Sequence, residues 1–281
     1  MRLATLRPGG DRQSTRAARI EGDHAILLEQ FSDVGALLAA DGLEAAKSAD
    51  GPRIELADAS FAPVVPRPGK ILCVGMNYGQ HIKEMGRTRT SHPTLFAKLK
   101  ETLIGSGEAI QLPPESSQVD WEGELAVVIG RRMRRADLLE AEAGVAGYTL
   151  MCDTSMRDWQ YRTSQWCQGK NWERSTPFGP WLATPDELPE GAEVITRVNS
   201  TRVQRGRISD LMLSPALLVL YASTMITLEP GDVIATGTPG GVGHAMNPPT
   251  YLTPGDVVEV EVPGMAILRS RVEMETVSRH D

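Results

Sequence analysis

Short apolar runs separated by turn residues dominate the pattern of hydrophobic and polar positions along the chain. Beyond residue 70 these runs are rich in Val, Ile and Leu, which is typical of β-strands. We predict strands over 71–74, 125–129, 145–151, 194–198, 233–236, 257–262 and 266–272. Helical periodicity is confined to 79–85, 137–143 and 214–223. Many short strands with few helices favour a β-dominated α+β fold over a doubly wound sheet.

The first 66 residues predict a small unit of their own. Strands are expected over 1–6, 17–20 and 25–28, and the turn Glu21-Gly22-Asp23 joins the last two. A short helix is expected to begin at Ser32 or Asp33 as its N-cap. The segment PVVPRPGK at 63–70 contains three prolines and is typical of a linker. We therefore predict a small N-terminal α+β domain over 1–66 and a larger catalytic domain over 67–281.

Composition narrows the class of protein. The 281 residues carry a net charge of −7, which argues against a general nucleic-acid binder. No stretch reaches the roughly 18 consecutive apolar residues of a membrane helix, so no membrane partner is expected. Cys73, Cys152 and Cys167 lack CxxC spacing, which is typical of reduced thiols in a cytoplasmic protein.

A glycine-rich segment, TGTPGGVGH at 236–244, follows a predicted strand. A dinucleotide site would need a helix directly after the glycines, but the prolines at 248–249 stand close behind them. We therefore expect a loop whose backbone N–H groups and Thr236 and Thr238 hydroxyls face a small anion such as a carboxylate. A plain tight turn is the alternative.

Acidic residues alternate in DWEGELAVVIG at 120–130, where Asp120, Glu122 and Glu124 would share one face of a strand. Burying like charges is costly unless a cation lies among them. The segment is therefore either a solvated strand edge or a cation site. Asp153, at the end of another predicted strand, would complete an all-oxygen site with Glu122 and Glu124. Such a site suits Mg²⁺ or Mn²⁺.

Two further clusters offer groups for acid–base chemistry. His81 and Glu84 stand at i and i+3 of a predicted helix, so Glu84 could orient the imidazole. A surface ion pair is the alternative for these two residues. Lys170, in the segment QGK, is a candidate for stabilising developing negative charge.

Taken together, these segments resemble the fumarylacetoacetate hydrolase family. The resemblance covers nearly all of residues 70–265, with the motifs in the family's order. The segments that carry it are CVGMNYGQHIKEM (73–85), HPTLFAKLKETLIG (92–105), DWEGELAVVIG, AGYTLMCDTSMRDWQ (146–160), GK (169–170), TPFGPWL (176–182), LEPGDVIATGTPGGVG (228–243) and LTPGDVVEVEV (252–262).

The resemblance implies a mixed β-sandwich roll, a homodimer, and one Mg²⁺ or Mn²⁺ ion held by Glu122, Glu124 and Asp153. Asp120 is then expected to be a solvated neighbour. The other site residues that the resemblance implies fall into two groups. The expected catalytic residues are His81 and Glu84 on a mobile lid, with Lys170 and Gln160; the expected substrate contacts are Arg157, Thr238 and Tyr78.

The implied activity is hydrolysis of a C–C bond in an acylpyruvate such as fumarylpyruvate, giving pyruvate and a carboxylic acid. Substrate choice is expected to depend on Arg157 and on the lid residues Arg87, Thr88 and Arg89. Oxaloacetate decarboxylase and isomerase of 2-hydroxymuconate-type dienes (2-hydroxyhepta-2,4-diene-1,7-dioate) are the alternative enzymes, since both would use the same site. A non-catalytic metal-binding protein is the alternative from another class.

Overall fold

A computed structural model of the chain describes residues 1–11, 14–88 and 91–276. Arg89 lies outside the described residues. The strands are β1 Arg2–Leu6, β2 Arg16–Glu21, β3 His24–Leu28, β4 Arg53–Glu55, β5 Ile71–Gly75, β6 Thr94–Lys98, β7 Leu103–Ile104, β8 Ile110–Leu112, β9 Val119–Asp120, β10 Gly123–Ile129, β11 Val145–Cys152, β12 Ser155–Met156, β13 Thr176–Ala183, β14 Glu193–Val198, β15 Thr201–Arg207, β16 Val233–Ala235, β17 Val257–Val262 and β18 Ala266–Met274. The helices are α1 Val34–Ala39, α2 Leu43–Ser48, α3 Gly79–Glu84, α4 Leu138–Ala143, α5 Arg157–Gln160, α6 Cys167–Lys170 and α7 Pro215–Met225.

Two sheets form the body of the molecule, so the predicted β-dominated α+β fold is confirmed. The larger sheet has the strand order β4-β3-β2-β1-β13-β11-β10-β16-β5-β6, with β7 also paired to β13. The smaller sheet has the order β15-β14-β17-β18-β8, and β9 pairs separately with β12. Asp33, one of the two expected N-caps, caps α1, and Asp137 and Ser214 cap α4 and α7.

The two sheets meet closely where β10 begins. A Cβ atom on Gly123 would lie 2.1 Å from the Thr196 Oγ1 atom of β14, so only glycine fits there. Leu125 and Leu150 of the larger sheet share one buried cluster with Val258 and Val260 of β17. Because strand side chains alternate, the residues on either side of Gly123 face away from this interface. The close approach of the sheets therefore turns Glu122 and Glu124 towards the opposite side of β10.

Residues 1–66 extend the larger sheet. Strand β1 pairs with β13 through Arg2 opposite Ala183 and Leu3 opposite Leu182. The proline-rich segment is folded against the same sheet, because Val64 is buried in the core and its N–H donates to the Phe178 carbonyl. The division of the chain at residue 66 stays a prediction.

Strand β13 is the main element that the sequence pattern did not predict. It lies inside the larger sheet, between β1 and β11, although it contains Pro177 and Pro180. Proline cannot donate a ladder hydrogen bond, and a strand that contains it is usually assigned to an edge.

None of the helices in the described ranges is long and apolar enough to span a membrane.

Candidate active site

Three buried carboxylates converge where β10 begins and β11 ends. Glu122, Glu124 and Asp153 each place one carboxylate oxygen within 4.8 Å of the others. Pairing of Gly123 with Cys152 brings the two strands together here, and the Asp153 N–H donates to the Glu122 carbonyl at 2.8 Å. The structure therefore brings together the acids that the sequence selected as metal ligands.

Cationic side chains surround this carboxylate cluster. The Lys170 Nζ atom lies 2.7 Å from Glu122 Oε2 and 2.8 Å from Asp153 Oδ2. Lys98 Nζ lies 2.8 Å from Asp153 Oδ1, and Arg157 Nη2 lies 2.7 Å from Glu122 Oε1. Since all three cations are buried, each ion pair is formed in a poorly screened environment.

The two glutamates differ in their electrostatic environment. Burial would raise the pKa of Glu122, but the positive charges of Lys170 and Arg157 outweigh it and lower that pKa to about 2. For Glu124, burial and the negative charges of Asp153 and Glu122 raise the pKa well above its ordinary value. Negative charge is therefore only partly compensated on the Glu124 side of the cluster.

The donor set fits a hard divalent cation. Three carboxylates are the ligands that Mg²⁺ and Mn²⁺ prefer, and all of them are buried. Glu124 accepts a backbone hydrogen bond from Gly237 N at 2.8 Å and forms no ion pair with a described residue. A cation at this position would neutralise the charge that Lys98, Lys170 and Arg157 leave uncompensated. Glu122, Glu124 and Asp153 are therefore suited to hold such an ion.

His81, which is buried, and Glu84, which is half-buried, form a pair on α3. Their contact joins His81 Nδ1 to Glu84 Oε1 at 2.8 Å, as the i, i+3 spacing predicted. Because Nδ1 donates to the carboxylate, the other ring nitrogen, Nε2, is the basic one. His81 lines the same cavity as Glu122 and Glu124, so a base and a cation site face one space.

The glycine-rich loop binds carboxylates that belong to the protein itself. Gly237 N donates to Glu124, Gly241 N donates to Glu84 Oε2, and Gly243 N donates to Asp120, each at 2.8 Å. The expected anion-binding loop is therefore present, but its anions are side chains of the site. The threonine hydroxyls do not face these carboxylates, because Thr236 Oγ1 donates to the Leu125 carbonyl and Thr238 Oγ1 donates to the Gly123 carbonyl.

Asp120 corrects an expectation from the sequence, since its side chain is 0% exposed and is not a solvated neighbour. It accepts hydrogen bonds from Gly243 N and His244 N, and its Oδ2 atom lies 2.9 Å from Arg157 Nη2. Strand β9 ends at Asp120 and β10 begins only at Gly123, so the alternation that relates Glu122 to Glu124 does not extend back to Asp120. Asp120 therefore lies beside the carboxylate cluster and holds Arg157 against Glu122.

The cavity above the cluster opens to solvent, and the space between its lining atoms, open solvent included, amounts to about 460 Å³. Its polar floor includes His81, Arg157, Gln160, Lys170 and Thr238, together with Glu122 and Glu124. The rest of its lining is mostly apolar and includes Val74, Met76, Met85, Phe96 and Trp166. A cavity lined by these charged and apolar side chains suits a small organic acid.

The expected substrate contacts are placed differently from one another. Arg157 lines the cavity, but its guanidinium is engaged by Asp120, Glu122 and the Gln160 Oε1 atom, which lies 2.8 Å from Nη1. This contact leaves the amide N–H groups of Gln160 as donors to the cavity. Tyr78 is not among the lining residues; it is buried beside Gly206, and its hydroxyl has no hydrogen-bond partner within the described residues.

Lys98 is a site residue that sequence reasoning missed. Its Nζ atom lies 2.8 Å from Asp153 and also donates to the backbone carbonyl of Lys170, so it connects two parts of the site. The available signal was a lysine closing the apolar strand TLFAK, where a charged side chain is rarely fully buried without a partner.

Comparison with known proteins finds a matching family model, similar proteins of known name and similar solved structures. The family model described as fumarylacetoacetate (FAA) hydrolase C-terminal matches residues 70–273. A human protein, oxaloacetate tautomerase FAHD2A, mitochondrial, is 38% identical over 231 residues, which is 81% of this chain and 74% of that protein. The 2,4-didehydro-3-deoxy-L-rhamnonate hydrolase of Sphingomonas sp. (strain SKA58) is 37% identical over 269 residues, 94% of each chain. The solved structure of 5-carboxymethyl-2-hydroxymuconate delta-isomerase from Mycobacterium smegmatis has a TM-score of 0.80 at 32% identity, covering 99% of this chain and 100% of that one.

Proposed function

The chain belongs to the fumarylacetoacetate hydrolase family, and from this membership we propose that it is a hydrolase dependent on Mg²⁺ or Mn²⁺. Its substrate would be an acylpyruvate, a 2,4-dioxo acid such as fumarylpyruvate. Hydrolysis of the C3–C4 bond would release pyruvate and a carboxylic acid. The cation would be held by Glu122, Glu124 and Asp153.

One observation carries this proposal: the cavity holds an oriented base and a carboxylate cluster together. His81 Nδ1 is fixed by Glu84 at 2.8 Å, which leaves Nε2 free to accept a proton inside the cavity. Hydrolysis requires a base to activate water next to the reacting carbonyl. A protein that only binds a metal would have no need for such a pair.

The residues of the chain can be assigned to successive steps. His81 would take a proton from water, whose oxygen then attacks the C4 carbonyl carbon, while Glu84 stabilises the resulting imidazolium. The Gln160 amide and the remaining N–H of Lys170 would donate to the C4 oxyanion. The C3–C4 bond then breaks, the electron pair moves to the pyruvate part, and protonated His81 returns a proton to C3. A bound Mg²⁺ or Mn²⁺ would supply Lewis-acid stabilisation of negative charge on the pyruvate oxygens.

The Sphingomonas relative supports this reaction type. Its name describes a hydrolase of an acid with carbonyl groups at C2 and C4 and a deoxygenated C3. That arrangement of carbonyl groups is the one that defines an acylpyruvate. The similarity extends over 94% of both chains, so it includes the N-terminal unit as well as the site.

The human relative favours a second candidate, tautomerisation of oxaloacetate. Keto–enol interconversion needs a base beside C3 and stabilisation of the enolate oxygen, and His81 with the carboxylate-bound cation would provide both. Oxaloacetate decarboxylase and diene isomerase would use the same groups. These alternatives differ from hydrolysis in whether water attacks C4.

The deciding experiment follows loss of the enol absorbance of fumarylpyruvate and acetylpyruvate with Mg²⁺ and after EDTA treatment. Oxaloacetate is assayed in parallel for pyruvate release and for enol–keto conversion. We expect Mg²⁺-dependent cleavage of an acylpyruvate. Turnover of oxaloacetate alone would replace hydrolysis with the tautomerase or decarboxylase reaction, and absence of all turnover would favour the isomerase or a binding protein.

We also propose that the protein forms a homodimer, as the resemblance implied. An exposed apolar row on α7, formed by Leu217, Tyr221 and Met225 at i, i+4 and i+8, supports this, and Leu139 of α4 is 76% exposed. Apolar surface of this kind commonly marks an interface. Light scattering coupled to gel filtration should give twice the monomer mass, and a Met225→Glu substitution should shift it towards the monomer.

A further inference from the structure

Strand β15 of the smaller sheet packs directly against the glycine-rich loop. A Cβ atom on Gly206 would lie 2.5 Å from the Pro239 Cβ atom, and a Cβ atom on Gly241 would lie 1.9 Å from the Val203 carbonyl oxygen. Neither position has room for a side chain. Because so little space separates the strand from the loop, the position of the loop depends on the position of β15.

Gln204 lies within this contact and is 1% exposed. Its Oε1 atom accepts from the Gly123 N–H at 3.0 Å. Its Nε2 atom donates to the Thr238 Oγ1 atom and to the Pro239 carbonyl, each at 2.8 Å. A backbone N–H can only donate and a carbonyl can only accept, so these partners fix which end of the amide is the oxygen. The Gln204 side chain therefore joins β15 to both β10 and the glycine-rich loop.

The Gln204 amide also sets the direction of the Thr238 hydroxyl. Thr238 Oγ1 accepts from Gln204 and donates to the Gly123 carbonyl at 3.0 Å. A hydroxyl has a single proton to donate. Although Thr238 lines the cavity, its hydroxyl proton is thus used inside the protein, where it ties the loop to β10.

The backbone that Gln204 holds belongs to the carboxylate cluster. Gly123, which donates to Gln204, stands between Glu122 and Glu124 in the chain. The glycine-rich loop, which accepts from Gln204, donates from Gly237 N to Glu124 at 2.8 Å. Glu124 is therefore held from two sides, by its own strand and by the loop, and Gln204 contacts both.

We propose that Gln204 is a positioning residue of the site. It is not among the residues that line the cavity, and it acts through Gly123 and the glycine-rich loop. By fixing these two segments against each other, it holds Glu122 and Glu124 in the arrangement that suits a divalent cation. Groups that orient metal ligands without binding the metal typically change its affinity by about 10- to 100-fold. The part of this inference that concerns the cation rests on the proposed function, whereas the hold on the loop does not.

The test uses Gln204→Met, which keeps an unbranched side chain of similar length and removes the three hydrogen bonds. Two quantities are measured on the full-length protein: hydrogen exchange by mass spectrometry in EDTA, and Mg²⁺ affinity by calorimetry. We expect faster exchange over residues 236–244, with unchanged exchange over β1 and β2. Mg²⁺ should bind about tenfold more weakly.

Val272→Ala is the matched control for a general loss of stability. Val272 is buried in β18 of the same sheet, which is separated from β15 by β14 and β17. This substitution should lower Tm without a local increase of exchange over 236–244 and without weaker Mg²⁺ binding.

Thr238→Val is a second variant, which leaves Gln204 in place and removes one of its acceptors. It should also speed exchange over 236–244. In the double variant with Gln204→Met, the two effects should be less than additive, because both remove the same contact.

Unchanged exchange over 236–244 in Gln204→Met, or an equal increase in Val272→Ala, would overturn the positioning role. Fully additive effects in the double variant would overturn the contact through Thr238. Faster exchange with unchanged Mg²⁺ affinity would overturn the link from Gln204 to the carboxylates. If the unmodified protein does not bind Mg²⁺, the cation site of the proposed function is rejected, and the exchange measurement still decides whether Gln204 holds the loop.

Discussion

The floor of the cavity and helix α3, which the resemblance implies to be a lid and which carries His81, are built in different ways. On the floor, the carboxylates of β10 and β11 are held by cations from β6, α5 and α6, which are distant in sequence. On the lid, His81 and Glu84 belong to one six-residue helix and meet through local spacing. The lid contacts the glycine-rich loop through Glu84 and Gly241. The floor is therefore fixed by the tertiary fold, whereas the base is fixed by a local turn of helix.

Because the floor and the lid are built differently, substitutions in the two regions should have different effects. A change on the floor leaves a buried charge without its partner, so it should affect stability and cation binding together. A change on the lid removes a group that acts on the substrate, and the sheets below do not depend on it. Substitutions on the two sides should therefore separate catalysis from stability.

The largest effect is expected for Asp153→Asn. The two oxygens of Asp153 each lie 2.8 Å from the Nζ atom of a buried lysine, Lys98 or Lys170, and the amide would leave these charges poorly compensated. We expect activity to fall by at least about 10³-fold. Unfolding by urea in EDTA should show a destabilisation of about 3 kcal/mol. Asp50→Asn, at an exposed position, is the control and should change neither quantity.

His81→Gln should have a large effect on turnover alone. Glutamine cannot accept a proton from water, and loss of a general base typically lowers kcat by about 10²- to 10⁴-fold. The increase in Tm caused by Mg²⁺ should be the same as in the unmodified protein, because the carboxylates remain in place. Calorimetric Tm values with and without Mg²⁺ check this; a lost Mg²⁺ effect would mean that lid and floor are not separate.

Glu84→Gln should have an intermediate effect, since it changes how the base is held. The two oxygens of Glu84 accept from His81 Nδ1 and from Gly241 N. Glutamine has a single acceptor oxygen, so it cannot accept from both groups, and if its NH2 group donates to Nδ1 then Nε2 carries the ring proton and is no longer basic. We expect kcat to fall about tenfold, with little change in Tm. Glu101→Gln changes an exposed glutamate and should leave kcat unchanged. If kcat fell equally in this control, the effect of Glu84→Gln could not be assigned to its contact with His81.

The same difference explains what the sequence could predict. The His81–Glu84 contact follows from helical spacing, and the pair Glu122 and Glu124 follows from strand alternation. Lys98 and the buried contact of Asp120 with Arg157 depend on which strands become neighbours in the sheet. A one-dimensional pattern does not contain that information.

Most of the remaining differences between the features predicted from the sequence and the observed structure involve proline and glycine residues. Strand β13 was not predicted because it contains two prolines, although it lies inside the larger sheet. The glycine-rich loop was correctly associated with carboxylates, but the pattern could not show that Glu124, Glu84 and Asp120 would supply them. Glycine is required at position 123, between the two glutamates, because Thr196 lies too close for a side chain. The sequence around Gly123 did not indicate this contact.

The smallest expected effect is a gain of stability in metal-free protein carrying Glu124→Gln. Burial, with the charges of Asp153 and Glu122, raises the pKa of Glu124, so the folded state binds this proton more tightly than the unfolded chain does. Stability without metal is therefore lost as the pH rises above the ordinary value of 4.5 towards the raised pKa. Glutamine carries no charge at any pH, so the substitution removes this loss.

In EDTA at neutral pH, Glu124→Gln should therefore raise Tm. The increase should be about 2–4 °C for each kcal/mol by which the free energy of unfolding rises. With Mg²⁺ the order should reverse, because the unmodified protein gains stability from the cation and the variant does not. Asp153→Asn, from the same cluster, should lower Tm under both conditions, since Asp153 is paired with two lysines and Glu124 with none. If Glu124→Gln lowers Tm in EDTA as well, the negative charge on Glu124 is compensated within the protein, and the argument for a divalent cation at this cluster is lost.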